Sequence, residues 1–67
     1  MTDTMEMELS ITRANITKRE IAKRLGISET ALYHKLNNTV EFKASEIVKM
    51  KEMLHLTDKQ RDKIFFA

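Results

Sequence analysis

Apolar residues recur along the chain at helical spacing, in short groups separated by polar breaks. Met7, Ile11 and Ala14 stand at i, i+4 and i+7, which predicts a first helix from Met5 to about Ala14 with that stripe buried. Met1 to Thr4 precedes the periodicity and is expected to be a frayed, flexible tail. Asn15 falls where a helix ends in a left-handed residue, and Ile16 is placed to staple against Ile21. Ile21 and Leu25 anchor a second helix. Thr17, with Glu20 three residues on, reads as the capping box that opens it, and Gly26 reads as its stop. Ser28 caps a third helix, held by Leu32 and Leu36 with Ala31 and Lys35 beside them, and Asn37-Asn38 ends it. Ala22 and Ala31 are small, so the second and third helices can cross closely.

After Asn38 the segment 39–43 reads as an extended connection, with either Val40 or Phe42 plugging the core. A fourth helix is expected over Ala44 to Leu54, with either Lys43 or Ser45 at its cap. Ile47, Lys51 and Leu54 share its inner face, flanked by Val48 and Met50. The Lys51 stem can lie along that face while its ammonium reaches water. Thr57 and Gln60 form another capping box, opening a last helix from Asp58 to about Phe65. Ile64 and Phe65 are expected to close the core. Phe66 is part of it, a frayed end, or a surface that a second copy buries across a two-fold axis. The pattern as a whole predicts an all-α, compact bundle of about five short helices forming a single domain over 1–67.

Composition narrows the picture. Sixty-seven residues lie near the lower limit for a domain that folds without staples. Cysteine is absent, which removes disulfides and thiolate metal sites and suits a reducing cytoplasm. Proline is also absent and glycine occurs once, in keeping with helices joined by short turns. No apolar run approaches membrane-spanning length, and no signal peptide is visible. His34 and His55 lie on different predicted helices, too few and too far apart for a zinc site, so no metal or cofactor is expected. No serine is paired with a base, there is no glycine-rich phosphate loop, and the carboxylates are scattered, so no enzyme is expected either. The methionines read as core filler.

Net charge is only +2, and its distribution says more than its size. Asp3, Glu6 and Glu8 make the first eight residues acidic. Arg13, Lys18, Arg19, Lys23 and Arg24 then face Glu20 alone over 9–27. That basic excess suits a phosphate-facing edge. On the third helix, Glu29, Thr30, Tyr33, His34 and Asn37 fall on the side opposite Leu32 and Leu36. The pattern fits a recognition surface and the solvated face of an ordinary α-hairpin equally well.

The run from Thr17 to Asn38, with Ile21-Ala-Lys-Arg-Leu-Gly-Ile-Ser28 at its centre, resembles the helix-turn-helix of the Cro/C1-type phage repressor family. Downstream, Glu41 to Thr57 and Lys63 to Phe66 resemble small repressor-like proteins of phages of Gram-positive bacteria. The resemblance spans roughly residues 5 to 67. It implies a lambda-repressor-like DNA-binding domain whose motif occupies 17–38 and whose partner is a double-stranded DNA operator. The second motif helix would enter the major groove while the first crosses the backbone. By position, Ser28, Glu29, Thr30, Tyr33 and His34 would face or rim the base edges. Lys18, Asn37, Asn38, Lys43 and Arg13 would meet phosphates. Two copies on adjacent half-sites, hence a homodimer on DNA, would complete the site. The protein would act in the cytoplasm of the bacterial host, at the nucleoid.

A second class fits the same residues. The low net charge, the acidic Glu29, the acidic beginning and the apolar end suit a module that grips a partner phage repressor and masks its basic DNA-reading surface. Glu29, Tyr33 and Phe66 are the candidate partner surface for such an antirepressor.

Overall fold

The computed structural model describes residues 2–66. Five helices follow one another: α1 (Thr4–Ala14), α2 (Lys18–Leu25), α3 (Glu29–Leu36), α4 (Ala44–Met53) and α5 (Asp58–Phe65). Local chemistry sets most of their ends. The Oγ atoms of Thr17, Ser28 and Thr57 accept from the backbone N–H three residues on, at 3.0–3.1 Å. At Thr57 the Gln60 side chain returns the bond to the cap N–H, completing a capping box. At Thr17 the expected box is only half made, because the Glu20 carboxylate instead takes the Arg24 guanidinium one turn on. The fourth helix is capped at Lys43, whose backbone N–H donates to the Glu46 carboxylate at 2.8 Å.

Three helices end alike. Gly26, Asn38 and His55 each take a positive φ, of 71°, 62° and 54°. At each, that residue's own N–H and the next one reach back to carbonyls of the last turn, Ile27 to Ala22, Thr39 to His34 and Leu56 to Lys51. An added Cβ at Gly26 would meet nothing within 4 Å, so the glycine serves the left-handed backbone rather than a tight approach. Asn15 ends α1 with φ 54°, as expected.

One apolar cluster fills the interior. Met7, Ile21, Leu32, Met50 and Ile64 are its most deeply buried members, one from each helix. Helix α2 packs on α3 and α4, while α5 packs on α1 and α4. The radius of gyration is 10.5 Å, close to the roughly 11 Å of a compact chain of this length. Phe42 rather than Val40 plugs the open end, meeting Phe65 edge to face at 5.3 Å between ring centres. The inner face of α4 is rotated from expectation: Glu46, Met50 and Leu54 are buried, whereas Val48 is exposed. Lys51 is half-buried, with its ammonium paired to Asp58. His55 lies in the turn after α4 rather than on a helix.

The expected flexible tail is the largest correction. Thr2 is buried, and Asp3 caps α1 by accepting from the Glu6 N–H. The Asp3 N–H donates to the Ile64 carbonyl at 2.6 Å. The Thr2 N–H donates to Asn38 Oδ1 at 2.9 Å, and Asn38 Nδ2 donates back to the Thr2 carbonyl at 2.8 Å. Residues 2 and 3 therefore tie the end of α3 to the end of α5. Met1, also assigned to the tail, lies outside the described residues. Asn38→Gly keeps the positive φ but removes both side-chain bonds. It is expected to cost about 1–3 kcal/mol in urea unfolding and to speed hydrogen exchange at Thr2. An unchanged Thr2 exchange rate would show that the strap does not depend on Asn38.

Candidate functional site

Helix α3 turns two different faces to its surroundings. Leu32, Lys35 and Leu36 are buried on the inner side. Glu29, Thr30, Tyr33, His34 and Asn37 are all exposed on the outer side. The structure thus brings together every α3 residue singled out from the sequence. Tyr33 and His34 stack edge to face, 5.9 Å between ring centres. Tyr33 offers the largest exposed ring on this helix, with a phenolic hydroxyl at its tip. Ser28 sits at the mouth of α3 with its oxygen occupied by the Ala31 N–H, leaving its hydroxyl proton free to donate outward.

A groove of about 580 Å³ opens beside this face, between the beginnings of α2 and α3. Thr17 and Ser28, the two helix caps, both line it, so two positive helix ends converge there. Arg19 and Lys23 also line it, and neither makes an ion pair among the described residues. Two carboxylates also line it: Glu20, which is paired with Arg24, and Glu29 on the α3 side. These features suit an anionic backbone running past the exposed face of α3. Arg19 and Lys23 were part of the basic excess in the sequence but were not singled out. Their signal was the helical spacing of i and i+4, which sets them on one side of α2.

The predicted phosphate contacts scatter. Lys18 pairs with Glu8 of α1 at 3.0 Å, with both side chains about half exposed, so the pair is cheap to exchange for another anion. Asn37 is exposed at the end of α3. The phosphate role expected of Asn38 is withdrawn, because its amide faces inward and is used on Thr2. Lys43 is exposed at the start of α4. Arg13 lines a separate cavity with Leu54, His55 and Gln60, to which α3 contributes nothing. The partner-surface candidates also divide. Glu29 and Tyr33 lie on the outer side of α3, whereas Phe66, 61% exposed, borders a recess with Thr2, Phe42 and Phe65.

Sequence reasoning missed the group that holds α3 from behind. Lys35 Nζ meets Glu46 Oε1 at 2.8 Å, with each side chain 8% exposed. The Glu41 carbonyl accepts from the same ammonium at 3.4 Å, and the ammonium lies 5.9 Å from the Phe42 ring centre. Burial works against the Glu46 charge. The hydrogen bonds from Lys35 and the Lys43 N–H, with the charges of both lysines, outweigh that and hold its carboxyl below the ordinary glutamate value.

Among the described residues no group of three or more His, Cys, Asp or Glu side chains could hold a metal ion. No helix there is long and apolar enough to cross a membrane. Fold and surface together define a small all-α protein of five short helices, one of which presents a polar, aromatic face to solvent. Over residues 3–67 the chain matches the family described as "Protein of unknown function (DUF739)", and it belongs to that family. No curated protein and no solved structure matches it.

Proposed function

We propose that this protein is a sequence-specific DNA-binding transcriptional regulator of the Cro/C1 phage-repressor type. In this reading α2 and α3 form a helix-turn-helix, and α3 lies in the major groove. The observation that carries it is the outer face of α3, where Glu29, Thr30, Tyr33, His34 and Asn37 stand clear of the core beside a groove lined by Arg19, Lys23 and two helix beginnings. Thr30 can donate or accept at a base edge and set its methyl against a thymine methyl. Tyr33 can pack on the sugar edge and donate its hydroxyl. Glu29 can accept from a cytosine amine. Lys18, released from Glu8, and the Arg19–Lys23 side of α2 take the phosphates. One copy makes few contacts, so a specific site takes two copies on half-sites about 34–36 Å apart. The working place is then the nucleoid in the host cytoplasm.

The test is a salt titration of binding to DNA from the gene's own neighbourhood, against random DNA of equal length. Tight, salt-sensitive binding with a preference for the native DNA is expected. Thr30→Ala and Tyr33→Ala should each erase about 1–3 kcal/mol of sequence preference. Lys18→Ala should weaken all DNA evenly and reduce the salt slope by about 1. Weak binding without preference would remove this reading.

One observation favours a second reading. The Glu29 carboxylate is exposed at the start of α3 with no ion-pair partner among the described residues, and in a groove walled by phosphates it is repelled. On a partner repressor's basic reading surface it would be matched. An antirepressor of that kind would lose its protein complex on Glu29→Lys, while its weak DNA affinity would rise through the added positive charge.

A further inference from the structure

The cavity between the end of α1 and the turn joining α4 to α5 lies apart from the α3 face and is built differently. It is a half-open cavity of about 180 Å³. Its floor is Ala14, Leu54 and Leu56, and its mouth carries Arg13, His55 and Gln60. Ser10 reaches into it from the middle of α1. That serine is 4% exposed, and its hydroxyl bonds to no other protein group among the described residues. No side-chain oxygen there is both sealed and unbonded, so the Ser10 hydroxyl opens on this cavity. The hydroxyl is thus accessible to water, or to a ligand, that enters the cavity.

The space is several times the roughly 30 Å³ share of one water. It is smaller than the roughly 300–1,000 Å³ of a drug-sized site. Arg13 makes no ion pair among the described residues and stands in the last turn of α1. The Gln60 oxygen is taken by the Thr57 N–H, which leaves its NH₂ as a donor. His55 is held in a left-handed backbone by its turn, which fixes where its ring starts. The donors are therefore a guanidinium, an amide NH₂, an imidazole and a buried hydroxyl, around an apolar floor.

We propose that this cavity binds a small monocarboxylate with a short aliphatic body. The carboxylate meets the Arg13 guanidinium, with Gln60 and His55 beside it. The aliphatic part lies on Leu54, Leu56 and Ala14, within reach of the Ser10 hydroxyl. The occupant is a free molecule of a few heavy atoms, which about 180 Å³ can hold whole; an acidic side chain reaching in through the mouth is the alternative that the titration below separates. This site stands whether or not α3 reads DNA.

The experiment uses the full ¹⁵N-labelled chain, titrated with propionate at constant ionic strength and followed by two-dimensional NMR. Controls are n-propanol, which has the body without the charge, and chloride, which has the charge without the body. Saturable shifts confined to Ser10, Arg13, Ala14, residues 54–56 and Gln60 are expected with propionate only. Arg13→Gln, an exposed position whose loss leaves the core intact, should weaken binding about tenfold or more. Ser10→Ala, if it folds, should weaken it by a smaller factor. A parallel titration with N-acetyl-aspartate N-methylamide separates the sources: tighter binding of that peptide than of propionate would overturn the assignment to a free molecule. Absence of saturable shifts, equal shifts with chloride or propanol, or unchanged affinity in Arg13→Gln would overturn the site itself.

Discussion

Glu46→Leu should lower the unfolding free energy by about 3–5 kcal/mol, because it leaves the Lys35 ammonium buried without its anion. For a chain of this length the whole stability is about 3–10 kcal/mol. The variant should therefore lose about half or more of its stability and unfold at a much lower urea concentration. What remains for Lys35 is one carbonyl at 3.4 Å and a phenyl ring, too little to hold a charge out of water. The double variant Lys35→Met/Glu46→Leu should recover most of the loss, since two apolar side chains fill the same space with no charge to desolvate. Urea unfolding of the three proteins checks this. If the double variant is as unstable as the single one, the damage comes from packing or from the lost cap at Lys43 rather than from the orphaned charge.

The same pair gives the protein its acid sensitivity. The folded state holds Glu46 below the ordinary glutamate value, and the unfolded chain does not. The contribution is therefore complete above the unfolded value of about 4.3 and is lost as the pH falls through the lower folded value. Stability should fall on acidification below about pH 4.3, and the double variant should show a flatter acid limb. Asp58, lowered by the Lys51 hydrogen bond and charge and by Arg61, acts with the same sign, so the limb should not vanish. Identical acid limbs in wild type and double variant would exclude Glu46 as the responsible group.

The second large effect is Leu32→Ala. Leu32 is 1% exposed on the inner side of α3, and truncating such a residue costs roughly 2–5 kcal/mol. In a domain of this size that lowers Tm on the order of 10–30 °C. Tyr33→Ala, one residue along, removes an exposed ring and should leave stability within about 0.5 kcal/mol. Thermal melts of both variants separate the two faces of one helix, and binding assays on Tyr33→Ala then report on recognition alone. A normal melt for Leu32→Ala would mean that the inner face of α3 has been misassigned.

The helix ends show what can be read locally. Thr17, Ser28 and Thr57 were legible as caps because the hydroxyl and the N–H it accepts are three residues apart. Gly26 and Asn15 were legible as stops because few residues take a positive φ without cost. The outer face of α3 followed from periodicity, since a helix that buries Leu32 and Leu36 must expose Thr30, Tyr33 and Asn37. Local chemistry also misled. Glu20 satisfies the capping-box pattern, but an arginine one turn on competes for the same carboxylate.

Spacing and side-chain type, then, determined five helices, the caps at Thr17, Ser28 and Thr57 and the side of α3 that meets solvent, because each of those choices is made between residues no more than about four apart. Tertiary structure alone decided that Lys35 faces Glu46, that Asn38 clasps Thr2, and that Ser10 and Arg13 share a cavity with the turn after α4. Lys35 and Glu46 are 11 positions apart, and Thr2 and Asn38 are 36. A charge or an amide carries no mark of its distant partner. Which one it finds is settled only when the packed core fixes how the helices cross and leaves a buried polar group a single place to bond.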